Sequence, residues 1–301
     1  MGKIAFVYPG QGSQQVGMGL DLYENTDIKA MFDKIFNVIE NKELKDVMFN
    51  GPEEKLKDTK NAQPAISLLS VILTKLVRDK GIRPDYVAGH SLGEYTALYG
   101  SEVLSDEDVM KLVSKRGEIM SSAGIDGTMA AILGLDASVV EEICAGIDGV
   151  IEAVNYNDPK QTVVAGDRNT VESNLEVFKE KGARRAMLLA VSGPFHSSLM
   201  KPVAPKIKEE FSKLTWNNPK VSLIANTTAK ELTNVEEIQE ELFNQTFGPV
   251  KWVEIINKLA ENGVTKIYEI GPGSILKGMI KKINGDIEVI NVSKIDDLAN
   301  L

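Results

Sequence analysis

Residues 86–99 read YVAGHSLGEYTALY: a short apolar run, a Gly-His-Ser-Leu-Gly motif and a segment with helical character. This order predicts a strand, a tight turn and a helix, the setting in which a G-x-S-x-G motif presents a nucleophilic serine. Side chains at positions 89 and 93 would clash in such a turn, so glycine suits both. Ser91 would then lie at the positive end of the new helix. The alternative is a glycine-rich turn with an incidental serine.

Apolar, strand-like runs alternate with helical patterns on both sides of this turn, which predicts an α/β protein. Residues 4–8, 221–226 and 266–271 join residues 86–89 as candidate strands of a buried, mostly parallel sheet, because these runs lack a clean polar alternation. The chain has 301 residues, of which 43% are hydrophobic, so it is long enough for a large domain with a smaller companion.

The segment from 127 to 191 has a different order of elements. It predicts a strand, a helix, two strands, a single helix capped by Asn169 or Thr170, and a final strand. This β-α-β-β-α-β order is ferredoxin-like. We therefore predict a small inserted subdomain at residues 127–191, and a larger α/β subdomain made of residues 1–126 and 192–301.

Composition argues against several classes of function. The formal net charge of -9 disfavours nucleic acid as a partner, because phosphates require a basic surface. No run approaches the roughly 20 apolar residues that span a bilayer, and the first residues predict a strand rather than a secretory signal. The single cysteine, Cys144, lies in a helical pattern, which predicts packing and leaves no internal disulfide or cysteine-based zinc site. These features predict a cytoplasmic protein.

A serine nucleophile needs a base, and the chain has two histidines. His90 adjoins Ser91, and neighbours at a sharp turn point apart. His196, in the loop VSGPFHSSLM that follows a strand-like run, is therefore the candidate base; the alternative is a loop histidine with local hydrogen bonds. No Asp or Glu ends a core strand between the two, so a backbone carbonyl is an alternative acceptor for the second ring N–H.

Arg116 occupies an apolar position in a predicted helix from Ser105 to about residue 123, where Ser105 and Asp108 resemble a capping box. The stripe that should face the interior comprises Val109, Leu112, Val113, Arg116 and Met120. A buried guanidinium is costly unless an anion meets it. Two anions fit equally well at this point, a carboxylate of the protein or a carboxylate of the substrate.

The segment PGQGSQ, residues 9–14, follows the first predicted strand. It lacks the lysine of a P-loop and the spacing of a dinucleotide-binding fingerprint. Glycines at a strand end can aim backbone N–H groups at a developing oxyanion. A simple turn explains the segment equally well.

Together the motifs resemble one family, the malonyl-CoA:acyl-carrier-protein transacylases of fatty-acid synthesis, with the acyltransferase domains of polyketide synthases as close relatives. The similar segments cover nearly the whole chain in the family's order: FVYPGQGSQ, GHSLGEYTAL, RGEIM, GTMAAILGL, NYNDPKQTVVAG, VSGPFHSSLM, QTFGPVKW and EIGPGSIL. The resemblance implies a hydrolase-like core with a ferredoxin-like insertion.

The resemblance also implies a role for each matching residue. Ser91 would carry the malonyl ester and His196 would be the general base and acid, while Arg116 would pair with the free malonyl carboxylate. The remaining positions would serve as backbone oxyanion donors (Gln11 and Leu92), as the carbonyl that holds the imidazole (Gln245), and as neighbours of the site from the small subdomain (Asn157, and less directly Asn155).

The implied partners are malonyl-CoA and the phosphopantetheine arm of acyl carrier protein, with no metal or redox cofactor. A basic group at Lys181, Arg184 and Arg185 is a candidate docking surface for the carrier. Three alternatives remain open: a discrete polyketide-type acyltransferase, a serine thioesterase or hydrolase with the same turn, and an inactive module that binds the carrier protein.

Overall fold

The structure is a computed structural model that describes residues 2–301 and contains two β-sheets. In chain order the strands are β1 (Lys3–Tyr8), β2 (Tyr86–Gly89), β3 (Gly127–Leu133), β4 (Ile151–Asp158), β5 (Gln161–Asp167), β6 (Arg185–Leu188), β7 (Ser222–Ile224), β8 (Glu231–Leu232), β9 (Val264–Ile270) and β10 (Glu288–Val292).

The helices lie between these strands, together with a 3₁₀ helix at Ser198–Val203. In chain order they are α1 (Leu20–Tyr23), α2 (Thr26–Val38), α3 (Leu44–Asn50), α4 (Glu53–Lys57), α5 (Thr59–Asp79), α6 (Leu92–Gly100), α7 (Asp106–Ser121), α8 (Ala137–Ala145), α9 (Arg168–Ser173), α10 (Leu175–Glu180), α11 (Ala204–Phe211), α12 (Val235–Gln245), α13 (Trp252–Glu261), α14 (Ile275–Ile283) and α15 (Ile295–Ala299). Within the described residues, no helix is both long enough and apolar enough to cross a membrane.

The larger sheet has the order β10-β9-β1-β2-β7-β8, and its strands are parallel except for β8. Successive side chains of a strand point to opposite faces, so β1 contributes to two separate cores. Phe6 and Tyr8 join the core that includes α5 and α7, whereas Ala5 and Val7 join the core that includes α13 and α14. The predicted α/β fold with a mostly parallel sheet is confirmed.

The smaller sheet is antiparallel, in the order β4-β5-β3-β6, and has its own core with α8, α9 and α10. The predicted β-α-β-β-α-β order is present, but the second helix begins at Arg168 and breaks at Asn174. The prediction of a single helix capped by Asn169 or Thr170 is therefore wrong. The helix breaks because Asn174 leaves helical geometry, and its side chain donates to the Thr170 carbonyl. The subdomain boundaries at 126/127 and 191/192 stay a prediction.

A backbone bridge joins the small sheet to the large subdomain. The Tyr156 N–H donates to the Val250 carbonyl at 2.9 Å, and the Val250 N–H donates to the Val154 carbonyl at 2.7 Å. Val250 lies in the loop between α12 and α13, so β4 pairs with a segment that belongs to no sheet. This bridge ties β4 of the small sheet to the loop that follows α12.

Candidate active site

Ser91 lies at the sharp turn between β2 and α6. Its backbone angles, φ 53 and ψ -106, are unfavourable for a residue with a side chain and cost about 1–3 kcal/mol. The chain passes so closely here that a Cβ on Gly89 would come within 1.8 Å of the Gly93 backbone, and one on Gly93 within 2.0 Å of the Tyr8 carbonyl. Glycine at both positions is therefore a steric requirement of this turn.

Two amide side chains hold the turn in its strained conformation. Asn226 accepts from the Ser91 N–H at 2.8 Å and donates to the Gly89 carbonyl at 2.7 Å. Gln245 donates its side-chain N–H to the Ser91 carbonyl at 2.7 Å. These buried hydrogen bonds pair the backbone polar groups of the turn and offset its strain.

His196 contacts the Ser91 hydroxyl at 2.7 Å through Nε2. Its Nδ1 donates to the Gln245 carbonyl at 2.8 Å and, less closely, to the Gly248 carbonyl at 3.2 Å. Because Nδ1 carries the proton, Nε2 is free to accept the serine proton. Burial, reinforced by the nearby Arg116 charge, lowers the pKa of His196 to about 3, so the imidazole is neutral at neutral pH.

His90 points away from the Ser91 hydroxyl. Its Nε2 donates to the Asn157 side chain at 2.7 Å, and its ring packs edge-on against Trp252. Burial lowers the pKa of His90 as well. This histidine therefore links the turn to the small sheet and leaves the base position to His196.

Arg116 is buried on α7, a helix capped by the Ser105 side chain. It makes no ion pair within residues 2–301; its Nη2 donates to Gln245 Oε1 at 3.1 Å, and its guanidinium lies 4.5 Å from the Tyr95 ring centre. Its Nε and Nη1 have no hydrogen-bond partner among the described residues. The protein thus supplies no carboxylate for this buried cation, and two of its donors are free for a ligand.

The Ser91 and His196 side chains open into a cavity of about 370 Å³. Its other lining residues include Gln11, Leu92, Gln63, Met120, Asn155 and Phe195. Gln11 and Leu92 line the same cavity as Ser91, and neither backbone N–H has an acceptor within residues 2–301. Met120 lies one helical turn beyond Arg116, so the arginine is close to the cavity wall.

The two predicted asparagines of the small subdomain have different positions. Asn157 contacts His90 and is not among the residues that line the cavity. Asn155 does line the cavity, and its Oδ1 has no hydrogen-bond partner among the described residues.

A sequence model of the acyl transferase domain matches residues 5–294. The chain belongs to the acyl transferase domain family. It is 44% identical to the malonyl CoA-acyl carrier protein transacylase of Bacillus subtilis over 299 residues, which cover 97% of this chain and 94% of that protein.

Solved structures agree with this assignment. The acyl-carrier-protein S-malonyltransferase of Bartonella henselae aligns with a TM-score of 0.95 and 38% identity, over 100% of this chain and 98% of that one. A malonyl-transacylase in complex with its type II PKS acyl-carrier protein aligns with a TM-score of 0.94 and 34% identity, over 99% and 98%.

The geometry of this acyl transferase suits attack on an acyl carbonyl. A hydroxyl, a neutral base that is oriented by a carbonyl, and two unpaired N–H groups on residues of the same cavity are the parts that a nucleophilic acyl-transfer site requires. The guanidinium with two free donors adds a place for an anionic group on the acyl chain.

Three buried polar residues of the site escaped the sequence prediction. Glu94 follows Ser91 by three positions on α6, Asn226 lies just beyond β7, and Gln63 lines the cavity from α5. Glu94 interrupts the apolar start of α6, which was a local signal, whereas Gln63 precedes an apolar run and Asn226 follows one. Periodicity alone does not reveal which distant partner such a residue meets.

Proposed function

We propose that this acyl transferase moves a malonyl group from malonyl-CoA to the phosphopantetheine thiol of acyl carrier protein, through an ester on Ser91, and so supplies fatty-acid synthesis. The observation that carries the proposal is the 2.7 Å contact between Ser91 and His196 in a cavity close to Arg116, a buried cation with two free donors. Support also comes from the relatives, which are named malonyl transacylases or malonyltransferases.

In the first half-reaction the Ser91 hydroxyl attacks the thioester carbonyl, and its proton passes to His196 Nε2. The backbone N–H groups of Gln11 and Leu92 donate to the oxyanion, and one such donor is commonly worth about 3 kcal/mol in the transition state. The carbon–sulfur bond then breaks, and the imidazolium returns its proton to the departing CoA sulfur. No carboxylate within residues 2–301 contacts His196, so two backbone carbonyls fix its tautomer, that of Gln245 and, more weakly, that of Gly248.

The second half-reaction repeats these steps with a different thiol. The carrier thiol gives its proton to His196 and attacks the ester carbonyl on Ser91. The carbon–oxygen bond breaks, and Ser91 recovers its proton from His196. Throughout, Arg116 holds the acyl carboxylate, which would otherwise lie unpaired in a buried site.

Intact-mass spectrometry after mixing with malonyl-CoA tests the proposal. We expect one malonyl adduct, which is absent from Ser91→Ala and disappears when the phosphopantetheinylated carrier protein is added. An adduct that persists in Ser91→Ala would overturn the nucleophile assignment. Rapid release of free malonate without carrier protein would instead favour a hydrolase, and carrier binding without any adduct would favour an inactive binding module.

The second substrate of the proposed reaction is a carrier protein, and one structural relative is a malonyl-transacylase bound to its acyl-carrier protein. The exposed Lys181, Arg184 and Arg185 are the proposed docking surface, because β6 leads from Arg185 to cavity-lining residues that begin at Leu189. We also propose that the enzyme acts in the cytoplasm, in keeping with its single, buried cysteine.

A further inference from the structure

Glu94 is a fully buried carboxylate that the mechanism above does not use. It lies on α6, and it forms no ion pair within residues 2–301. Each carboxylate oxygen accepts one N–H: Oε1 from the Asn226 backbone at 2.8 Å and Oε2 from the Gln245 side chain at 2.9 Å. A carboxyl group can accept at both of its oxygens, whereas an amide side chain has only one acceptor atom.

Gln245 is the residue through which Glu94 reaches the rest of the site. Its side-chain nitrogen donates to Glu94 and to the Ser91 carbonyl, while its side-chain oxygen accepts from Arg116. The amide therefore has one orientation that suits all three neighbours. Reversing it would turn an N–H toward the guanidinium and an oxygen toward the Ser91 carbonyl.

Glu94 and Arg116 also affect each other's pKa within this network. Burial, and then the charge of Glu241, raises the pKa of Glu94, whereas the N–H donors and the Arg116 charge oppose that increase. Burial lowers the pKa of Arg116, and the Glu94 charge opposes that decrease. Glu94 is thus linked to Arg116 through the Gln245 amide and makes no direct contact with the guanidinium.

We propose that Glu94 is a positioning residue for acyl-group selection, because it holds the Gln245 amide with its oxygen toward Arg116 and so aims the free guanidinium donors at an acyl carboxylate. This proposal rests on the malonyl transfer proposed above. An amide at position 94 cannot accept from both N–H donors. The Asn226 donor is a backbone N–H and is held in place. In a variant with an amide at position 94, we therefore expect the Gln245 side chain to be the group that moves.

The test compares Glu94→Gln with wild type for acylation of Ser91 by malonyl-CoA and by acetyl-CoA. Acetyl has no carboxylate for Arg116 to bind. The ratio of the two kcat/KM values therefore reports the contribution of the guanidinium, because a general loss of activity lowers both values equally. We expect this malonyl preference to fall by about 10-fold, the usual consequence of one unpaired buried polar group. A merely structural role would lower stability or both rates together and leave the ratio unchanged.

Glu269→Gln is the matched control. Glu269 is also a fully buried glutamate whose oxygens accept two backbone N–H groups, from Leu276 and Lys277, and it does not contact Gln245. We expect this variant to lose stability and to keep the wild-type malonyl preference. A similar fall in preference for both variants would overturn the proposal.

Gln245→Ala completes the design, because it removes the amide and keeps the backbone carbonyl that orients His196. We expect it to lower the malonyl preference by itself, and we expect Glu94→Gln to cause no further fall in that background. If Glu94→Gln does not fold, an unchanged preference in Gln245→Ala overturns the proposal. If wild-type protein forms no malonyl adduct, the proposed function itself is overturned. If wild type forms the adduct and Glu94→Gln leaves the ratio of malonyl to acetyl kcat/KM unchanged, only the role of Glu94 is overturned.

Discussion

The Ser91–His196 pair at one end of the site and Arg116 at the other differ in how fully their own polar groups are paired. At the nucleophile end, the Ser91 backbone, the Ser91 hydroxyl and both nitrogens of His196 have partners at 2.7–3.0 Å. At the arginine end, Arg116 has one partnered nitrogen and two free ones. The difference separates two tasks: the reacting groups are positioned before substrate arrives, while recognition of the acyl group leaves donors free for a ligand.

The largest expected effect concerns the nucleophile end. We expect His196→Ala to slow acylation of Ser91 by about 10⁴-fold, because loss of a triad-like base leaves only oxyanion stabilisation and binding. Single-turnover acylation with malonyl-CoA measures this rate. His90→Ala, which removes the neighbouring histidine and its bond to Asn157, serves as the control, with an expected loss at least about 100-fold smaller because it touches no reacting atom. Equal losses in the two variants would mean that both histidines take part in the reaction, and would contradict the assignment of His196 as the only base.

The next effect concerns the arginine end. We expect Arg116→Ala to lower kcat/KM for malonyl-CoA by about 10²–10³-fold, since removal of one partner from a buried charge pair usually costs 2–5 kcal/mol. The loss for acetyl-CoA should be much smaller, because acetyl brings no charge to the site. Parallel measurement of both acyl donors checks the prediction, and equal losses would remove Arg116 from acyl recognition.

The low pKa of His196 predicts a pH-dependent contribution to stability. In the unfolded chain a histidine binds a proton near pH 6.5, whereas in the fold the pKa of His196 is about 3. Between these values the unfolded state binds more protons, so this contribution is present above pH 6.5 and is lost as pH falls toward 3, with a slope of up to about 1.4 kcal/mol per pH unit.

The other buried groups, such as Glu269 with a pKa raised to about 7, also titrate in this range, so the contribution of His196 must be isolated. The measurement is the difference in unfolding free energy between wild type and His196→Gln at pH 7 and at pH 5. We expect the unfolding free energy of wild type to decrease relative to that of His196→Gln as pH falls from 7 to 5. No shift would contradict the burial of a neutral imidazole.

The smallest expected effect lies outside both ends of the cavity. Reversal of the charges at Arg184 and Arg185 should raise the Michaelis constant for carrier protein by up to about 10-fold, because charges at the rim of an interface act mainly on association. The constant for malonyl-CoA should stay the same. Steady-state kinetics at low and high salt measure both values, and an unchanged carrier constant would discard this docking surface.

The sequence predicted most of the architecture because its signals are local. The turn around Ser91 depends on two glycines within five residues, and the Arg116 stripe follows helical periodicity. The inserted β-α-β-β-α-β unit was recognisable from the order of its elements. The break at Asn174 was not, because helical periodicity continues across it and one side-chain hydrogen bond decides the geometry.

The site was less predictable where it depends on distant partners. Residue-level reasoning paired Ser91 with His196 by elimination, but it left the partner of Arg116 and the acceptor for His196 open. The family resemblance supplied Gln245 as that acceptor. Neither approach anticipated that the Gln245 side chain would also contact Ser91, Glu94 and Arg116. Such contacts join positions more than 100 residues apart, and no local pattern encodes them.

The bridge at Val250 has a consequence for how this protein can vary. Its two hydrogen bonds use only backbone atoms, so the bonds themselves do not require a particular side chain at positions 154, 156 and 250. Proline is the exception at 156 and 250, because it has no N–H to donate. Mutational scanning should therefore find both positions closed to proline. It should also find the fully buried Val250 closed to polar residues, whereas the half-buried Tyr156 should accept other side chains. The segment from Gln245 to Val250, which supplies the carbonyls for His196, is thus tied to the inserted unit through backbone atoms alone.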